Sequence, residues 1–202
     1  LVEHRHRVEQ LADGSELHRH EVVVPDDLDD LARVGVTFEL RAGFDRLRWY
    51  GRGPLENYPD RNRGALLGVW ESDVDDPPYL VPQEFGLRTD CRWFEFVDPS
   101  TGTLVRLDPL DPVTMHVSAT RLRTGDLYAA DHQTDLRPRR TLVVHADVAH
   151  RGLGTASCGP DVLDRYRLRP GMYRFTYRLH VRDVPGTSRT ATGRGGGRRS
   201  RR

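Results

Sequence analysis

The sequence contains no lysine, so all 31 of its basic residues are arginine. So complete an absence over 202 residues points to a high-GC coding bias rather than a physical device. Cysteine is almost absent too, with only Cys91 and Cys158 and no CxxC pair. This scarcity excludes a disulfide framework and a zinc knuckle, and it fits a reducing, cytoplasmic setting. No apolar run approaches the length of a membrane span, so no membrane partner is expected. The N-terminal "LVEHRHRVEQ" has neither a methionine nor the apolar stretch of a secretory leader. A chain that starts at Leu1 inside an alternating pattern reads as a piece of something longer.

The formal net charge of +1 conceals an uneven distribution. The last sixteen residues, "TSRTATGRGGGRRSRR", hold six Arg and no acid, which leaves 25 Arg against 30 acidic residues in a body near −5. An acidic body does not suit nucleic acid, and the tail lacks the interleaved aromatics of a single-strand binder. No nucleic-acid partner is expected, and residues 185–202 read as a disordered Arg/Gly-rich tail.

The body, residues 1–184, alternates in short runs. Val34, Val36, Phe38 and Leu40 share one face of "ARVGVTFELR" (Ala32–Arg41), a half-buried strand. Strand patterns also occupy Glu16–Pro25, Phe44–Gly51, "CRWFEFVD" from Cys91, Gly102–Pro109, "TMHVSAT" and Thr141–Ala149. Tyr173, Phe175, Tyr177, Leu179 and Val181 alternate cleanly along Gly171–Val181. Turn signals such as Ala-Gly and Arg-Pro-Gly separate the runs. Helical evidence is confined to Thr124–Leu136, over Leu127 and Ala130. The spacing predicts an all-β, antiparallel sandwich or barrel-like sheet.

Three segments are dense in costly residue types: "GRGPLENYPDR" (Gly51–Arg61), "YLVPQEFGLRTDCRWFEF" (Tyr79–Phe96) and "HADVAHRGLGTASCGPD" (His145–Asp161). In this order they resemble the C-terminal, small-chain domain of the large β-galactosidases of glycoside hydrolase family 2. Gly53, Pro54, Glu56, Asn57, Tyr58, Asp60 and Arg61 match the family's G-P-x-E-N-Y-x-D-R. Tyr79, Pro82, Gln83, Glu84, Gly86, Arg88, Asp90, Arg92 and Trp93 match its Y-x-x-P-Q-E-x-G-x-R-x-D-x-R-W. Asp147, Gly152 and Gly154 match its D-x-x-x-x-G-x-G. The resemblance runs from about residue 30 to residue 182. Phe85 departs from it, since the family places a small polar residue there, and the basic tail has no family counterpart.

The resemblance implies a galactose-mutarotase-like β-supersandwich, partial at its N-terminus, within an enzyme that hydrolyses β-D-galactosides such as lactose. It implies no catalytic residue in this chain, because the family's working glutamates lie on a TIM-barrel domain. That barrel, the β-galactoside sugar and further copies in a homo-oligomer are the partners it implies, and no cofactor is expected from this chain. Read from the residues alone, Glu56 and Glu84 are the carboxylates that a glycosidase search would nominate. The Gly- and Pro-rich loop around Glu56 reads better as a rigid corner, in which Asn57 and Asp60 bond nearby backbone and Glu56 pairs with Arg61.

Sugar contact falls to His145 and Asp147, because the strand entering the third segment lies, in the family, near the barrel's mouth. No Trp is present there, and His145 is the residue that would replace it by stacking or hydrogen bonding, the alternative being an ordinary strand histidine. His4 and His6, and His18 and His20, sit two apart without ligand spacing, so no metal site is expected. Cys158 has no paired His and reads as a small buried residue. The alternative to a piece of a β-galactosidase is a free-standing carbohydrate-binding or mutarotase-like protein, which would need a positioned His acid and Glu base.

Overall fold

A computed structural model describes residues 1–74, 79–81, 83–110, 113–154 and 159–183. Pro82 of the second segment, Cys158 and the tail 185–202 lie outside the described residues. Among the described residues the alternating runs fold into eleven strands: β1 (Glu3–Gln10), β2 (Glu16–Val24), β3 (Arg33–Leu40), β4 (Arg46–Gly53), β5 (Leu66–Asp73), β6 (Arg88–Cys91), β7 (Trp93–Val97), β8 (Thr103–Pro109), β9 (Met115–Thr120), β10 (Leu142–His150) and β11 (Gly171–Asp183). One helix, α1 (Thr124–Ala129), lies between β9 and β10. It occupies only the first half of the expected helical segment, and a short 3-10 turn at Gln133–Asp135 follows it.

The strands build two sheets whose inner faces share one apolar core, an antiparallel β-sandwich. The larger has the order β1-β2-β11-β8-β7-β4-β5, and the smaller β3-β10-β9-β6. Period-2 alternation sends Leu47, Trp49, Phe94, Phe96, Leu107 and Phe175 inward from the larger sheet. Met115, Val117, Leu142 and Val144 meet them from the smaller one. Trp49 and Phe94 stack at 5.9 Å between ring centroids, and each such buried side chain contributes roughly 1.5–3 kcal/mol.

Two elements differ from the sequence pattern. "CRWFEFVD" is not one strand. The chain leaves the smaller sheet at Cys91, turns at Arg92, whose amide donates to the Tyr50 carbonyl at 2.7 Å, and enters the larger sheet at Trp93. β5 is an edge strand paired, among the described residues, with β4: Leu66, Leu67 and Val69 are exposed, while Gly68, Trp70 and Ser72 form its half-buried face. Of that half-buried face Trp70 packs on the core, but Gly68 and Ser72 beside it give no apolar alternation to read. A second small cluster, Phe85 with Leu122, Leu127 and Leu136, seats α1 against the loop before β6. Phe85 thus makes a core contact under that helix.

Among the described residues, no helix is long and apolar enough to cross a membrane.

Candidate functional site

The loop after β4 is built from side chains that satisfy backbone. Glu56 Oε1 accepts from the Tyr79 hydroxyl at 2.6 Å and from Arg61 at 2.9 Å, and Oε2 accepts from the Gly86 amide at 2.8 Å. Asn57 is buried: its amide nitrogen donates to the Arg52 and Leu55 carbonyls, and its Oδ1 accepts from the Thr89 amide at 3.1 Å. Asp60 reaches the third segment, accepting from the amides of Leu153 at 3.1 Å and Gly154 at 2.8 Å. Gly152 is required beside it, since a Cβ there would sit 2.6 Å from Asp60 Cγ. The corner reading of this loop therefore holds in its bonding. Arg61 is half-exposed, so its pair with Glu56 lies at the rim rather than in the interior.

The second carboxylate, Glu84, lies beside β3 and β10. It is paired with Arg33 and lies 3.8 Å from His150 Nε2. Burial opposes its ionisation, but the neighbouring His150 and the Arg33 charge outweigh that and hold its carboxyl below the ordinary value. His150 donates Nδ1–H to the Arg151 carbonyl at 2.6 Å, which leaves its Nε2 facing Arg33 at 2.9 Å. Glu56 and Glu84 are thus both committed to internal partners.

β10 brings the two predicted sugar residues to one face, two positions apart. His145 lies opposite Thr37 on β3 and Ser118 on β9, and Asp147 opposite Gly35 and His116. Asp147 is 1% exposed. A Cβ on Gly35 would overlap both Asp147 Oδ1 and the Ala146 carbonyl, so this glycine is what lets the carboxyl lie flat on the neighbouring strand. Arg33 Nε stands 3.6 Å from Asp147 Oδ2, which has no hydrogen-bond partner. Burial pushes the Asp147 carboxyl up to about 7, against the pull of Arg33. His145 is half-buried, with Nδ1 at 2.9 Å from the Thr37 hydroxyl. Burial and the Arg33 charge push it down to about 4, so its imidazole is neutral at physiological pH.

His145, Glu84, Gln83, Ser118 and Thr120 line a cleft of about 10 Å³, room for a single water. Between the first and third segments, Asp60, Arg61, Gly154, Asp161 and Tyr166 border an open groove of about 530 Å³, the size of a small-ligand site. A neutral imidazole at a cleft mouth can donate to or accept from a hydroxyl.

Sequence reasoning missed Arg33 and His150, which hold Glu84 and Asp147 in place. Both sit at strand ends and gave no local motif; only the β3–β10 register joins them. It also treated the His4/His6 and His18/His20 pairs separately, whereas the β1–β2 register brings them onto one face.

The profile of the β-galactosidase small chain matches residues 5–179. The β-galactosidase of Aeromonas hydrophila subsp. hydrophila is 34% identical over 180 residues, 86% of this chain and 16% of that protein. That of Kluyveromyces lactis is 32% identical over 154 residues, 74% of this chain and 14% of the relative. That of Priestia megaterium is 33% identical over 145 residues, 70% and 14% respectively. The chain spans 14–16% of the length of these relatives.

Proposed function

This chain belongs to the β-galactosidase small-chain family, and from that membership we propose that it is the β-sandwich portion of an enzyme hydrolysing terminal β-D-galactosides such as lactose. It supports the active site and the assembly, while the catalytic carboxylates lie on a TIM-barrel domain elsewhere in the protein. The observation that carries this reading is the family match over residues 5–179 to proteins of which the chain spans only 14–16%. The internal bonding of Glu56 and Glu84 supports it, since each carboxylate already serves its own fold.

In this reading His145 meets the sugar or a residue bound to it, because it is the less buried member of the pair. Asp147, buried behind it, positions Arg33 and the β10 bulge that follows. The groove beside Asp60 and Tyr166 receives the barrel domain or its substrate. The apolar β5 edge, with Leu66, Leu67 and Val69, supports contacts between copies in a homo-oligomer. The buried, free Cys91 supports a reducing, cytoplasmic setting. A free-standing mutarotase is disfavoured, because the cleft beside His145 and Glu84 has no room for a sugar ring.

The gene provides the test. The reading frame extended upstream of Leu1 should encode a carboxylate-bearing barrel, and the protein made from it should hydrolyse a chromogenic β-galactoside. A frame without the barrel, or a complete protein without turnover, overturns the proposal.

A further inference from the structure

β1 and β2 carry the same spaced pair, His4-Arg5-His6 and His18-Arg19-His20. Period-2 alternation puts both imidazoles of each pair on one side of their strand and the arginine on the other. The antiparallel register then sets His6 directly opposite His20, with His4 opposite Val22 and His18 opposite Val8. All four imidazoles share the sheet face that carries Phe175 and Tyr177, and Arg5 and Arg19 point away from it.

The ring nitrogens converge. One nitrogen from each of His6, His18 and His20 lies within 4.8 Å of the other two. His6 Nε2 is 3.1 Å from His18 Nδ1, and His4 Nε2 is 2.9 Å from His20 Nδ1. A tetrahedral zinc ion, with Zn–N near 2.0–2.1 Å, sets neighbouring ligand atoms roughly 3.3 Å apart. His6 and His18 therefore already stand at ligand spacing, with a His20 nitrogen within 4.8 Å of both.

The surroundings of the rings match a metal centre rather than a chance stack. Glu16 Oε2 accepts from His18 Nε2 at 3.1 Å, which leaves His18 Nδ1 as the ring's lone-pair atom facing His6. A carboxylate on the far nitrogen is the usual way a ligating histidine is oriented. His20 is buried with its Nε2 lacking any hydrogen-bond partner, while its Nδ1 is engaged by His4. Phe175 stacks on His20 at 4.6 Å and Tyr177 on His18 at 4.9 Å, giving the cluster an apolar floor.

We infer that His6, His18 and His20 form a binding site for one divalent transition-metal ion of the imidazole-preferring class, zinc foremost, with Glu16 and His4 orienting two of the ligands. An all-nitrogen donor set selects this class over magnesium or calcium, which take oxygen. The site spans an edge: β1 is exposed along its whole length and pairs only with β2. The ion pins that strand to the sheet and leaves a fourth position for water.

The test is a titration of the metal-stripped 202-residue chain with Zn²⁺ alone by calorimetry, and with Co²⁺ followed by visible absorption, at about pH 7.5. The expected result is one ion per chain with a Kd of about 1 μM or tighter, a raised Tm, and the intense absorption of four-coordinate Co²⁺. His6→Ala and His18→Ala should each weaken Zn²⁺ binding by about tenfold or more, whereas His132→Ala, an exposed histidine outside the cluster, should not change it. His6 is exposed, so its variant folds even if a His20 variant does not. A Kd in the millimolar range, or tight binding that survives the double change at His6 and His18, overturns the site.

Discussion

Asp60 and Gly154 lie 94 residues apart in sequence, and the carboxylate of the first accepts the amide hydrogen of the second at 2.8 Å. The same carboxylate takes the Leu153 amide at 3.1 Å, so one side chain ties the first motif to the third. Asp60→Ala strands both amides and should cost about 2–3 kcal/mol of stability. Asp60→Asn, which keeps one acceptor oxygen, should cost less. Urea denaturation of the three proteins measures this, and an Ala variant within about 0.5 kcal/mol of the parent would show that the two loops are held by other contacts.

Gly35 lies under Asp147 with no space for a methyl group. Gly35→Ala should destabilise the chain by about 1–3 kcal/mol, the usual cost of overpacking. It should also perturb the amide resonances of Ala146 and Asp147 before those of the other sheet. Unchanged melting with unchanged spectra would mean that β3 and β10 part more easily than their register indicates.

Asp147 sets a pH dependence with a definite sign. Its folded value of about 7 lies above the ordinary 3.8, so the folded chain holds a proton that the unfolded chain has lost. Its contribution to stability is complete below about pH 4 and falls away as pH rises to about 7. His145 and His116 act oppositely: burial holds both down to about 4, so protonation below about pH 6.5 costs stability. The difference between parent and Asp147→Asn isolates the carboxyl. The variant should gain on the parent by roughly 2–4 kcal/mol between pH 4 and pH 7, and parallel pH profiles would contradict this.

In the enzyme that contains this chain, His145→Ala should lower kcat/KM by about 5- to 30-fold through a raised KM, with little change in Tm. The half-buried ring, bonded to the Thr37 hydroxyl, can leave without opening a core cavity. Unchanged kinetics with a lowered Tm would make His145 a packing residue.

The parts of the fold legible in the sequence were those with local periodicity. Val34 to Leu40 and Tyr173 to Leu179 alternate because one face of β3 and of β11 is buried, and that pattern survives in any single chain; Val181, expected on the same face, is exposed, and His180 is buried in its place. β5 was not legible, since its half-buried face holds Gly68, Trp70 and Ser72 while Leu67 and Val69 are exposed, so hydrophobicity does not follow the alternation of burial. The break at Arg92 was hidden because a strand that changes sheets keeps its β-forming composition. At the candidate site, the motifs marked Glu56, Asp60, Glu84 and Asp147, but their partners are non-local. Arg33 meets Glu84 across 51 residues and His150 across 117. The imidazole cluster was missed for the same reason, because ligand spacing there is a property of the β1–β2 register and not of either strand.

The central claim is that this chain supports a glycosidase without performing the hydrolysis. Incubation of the purified chain alone with a chromogenic β-galactoside tests it most directly. The account predicts no turnover above the uncatalysed rate, with parent, Glu56→Gln and Glu84→Gln indistinguishable. Turnover by the parent that disappears in either Gln variant would contradict it and make that carboxylate a working catalytic group.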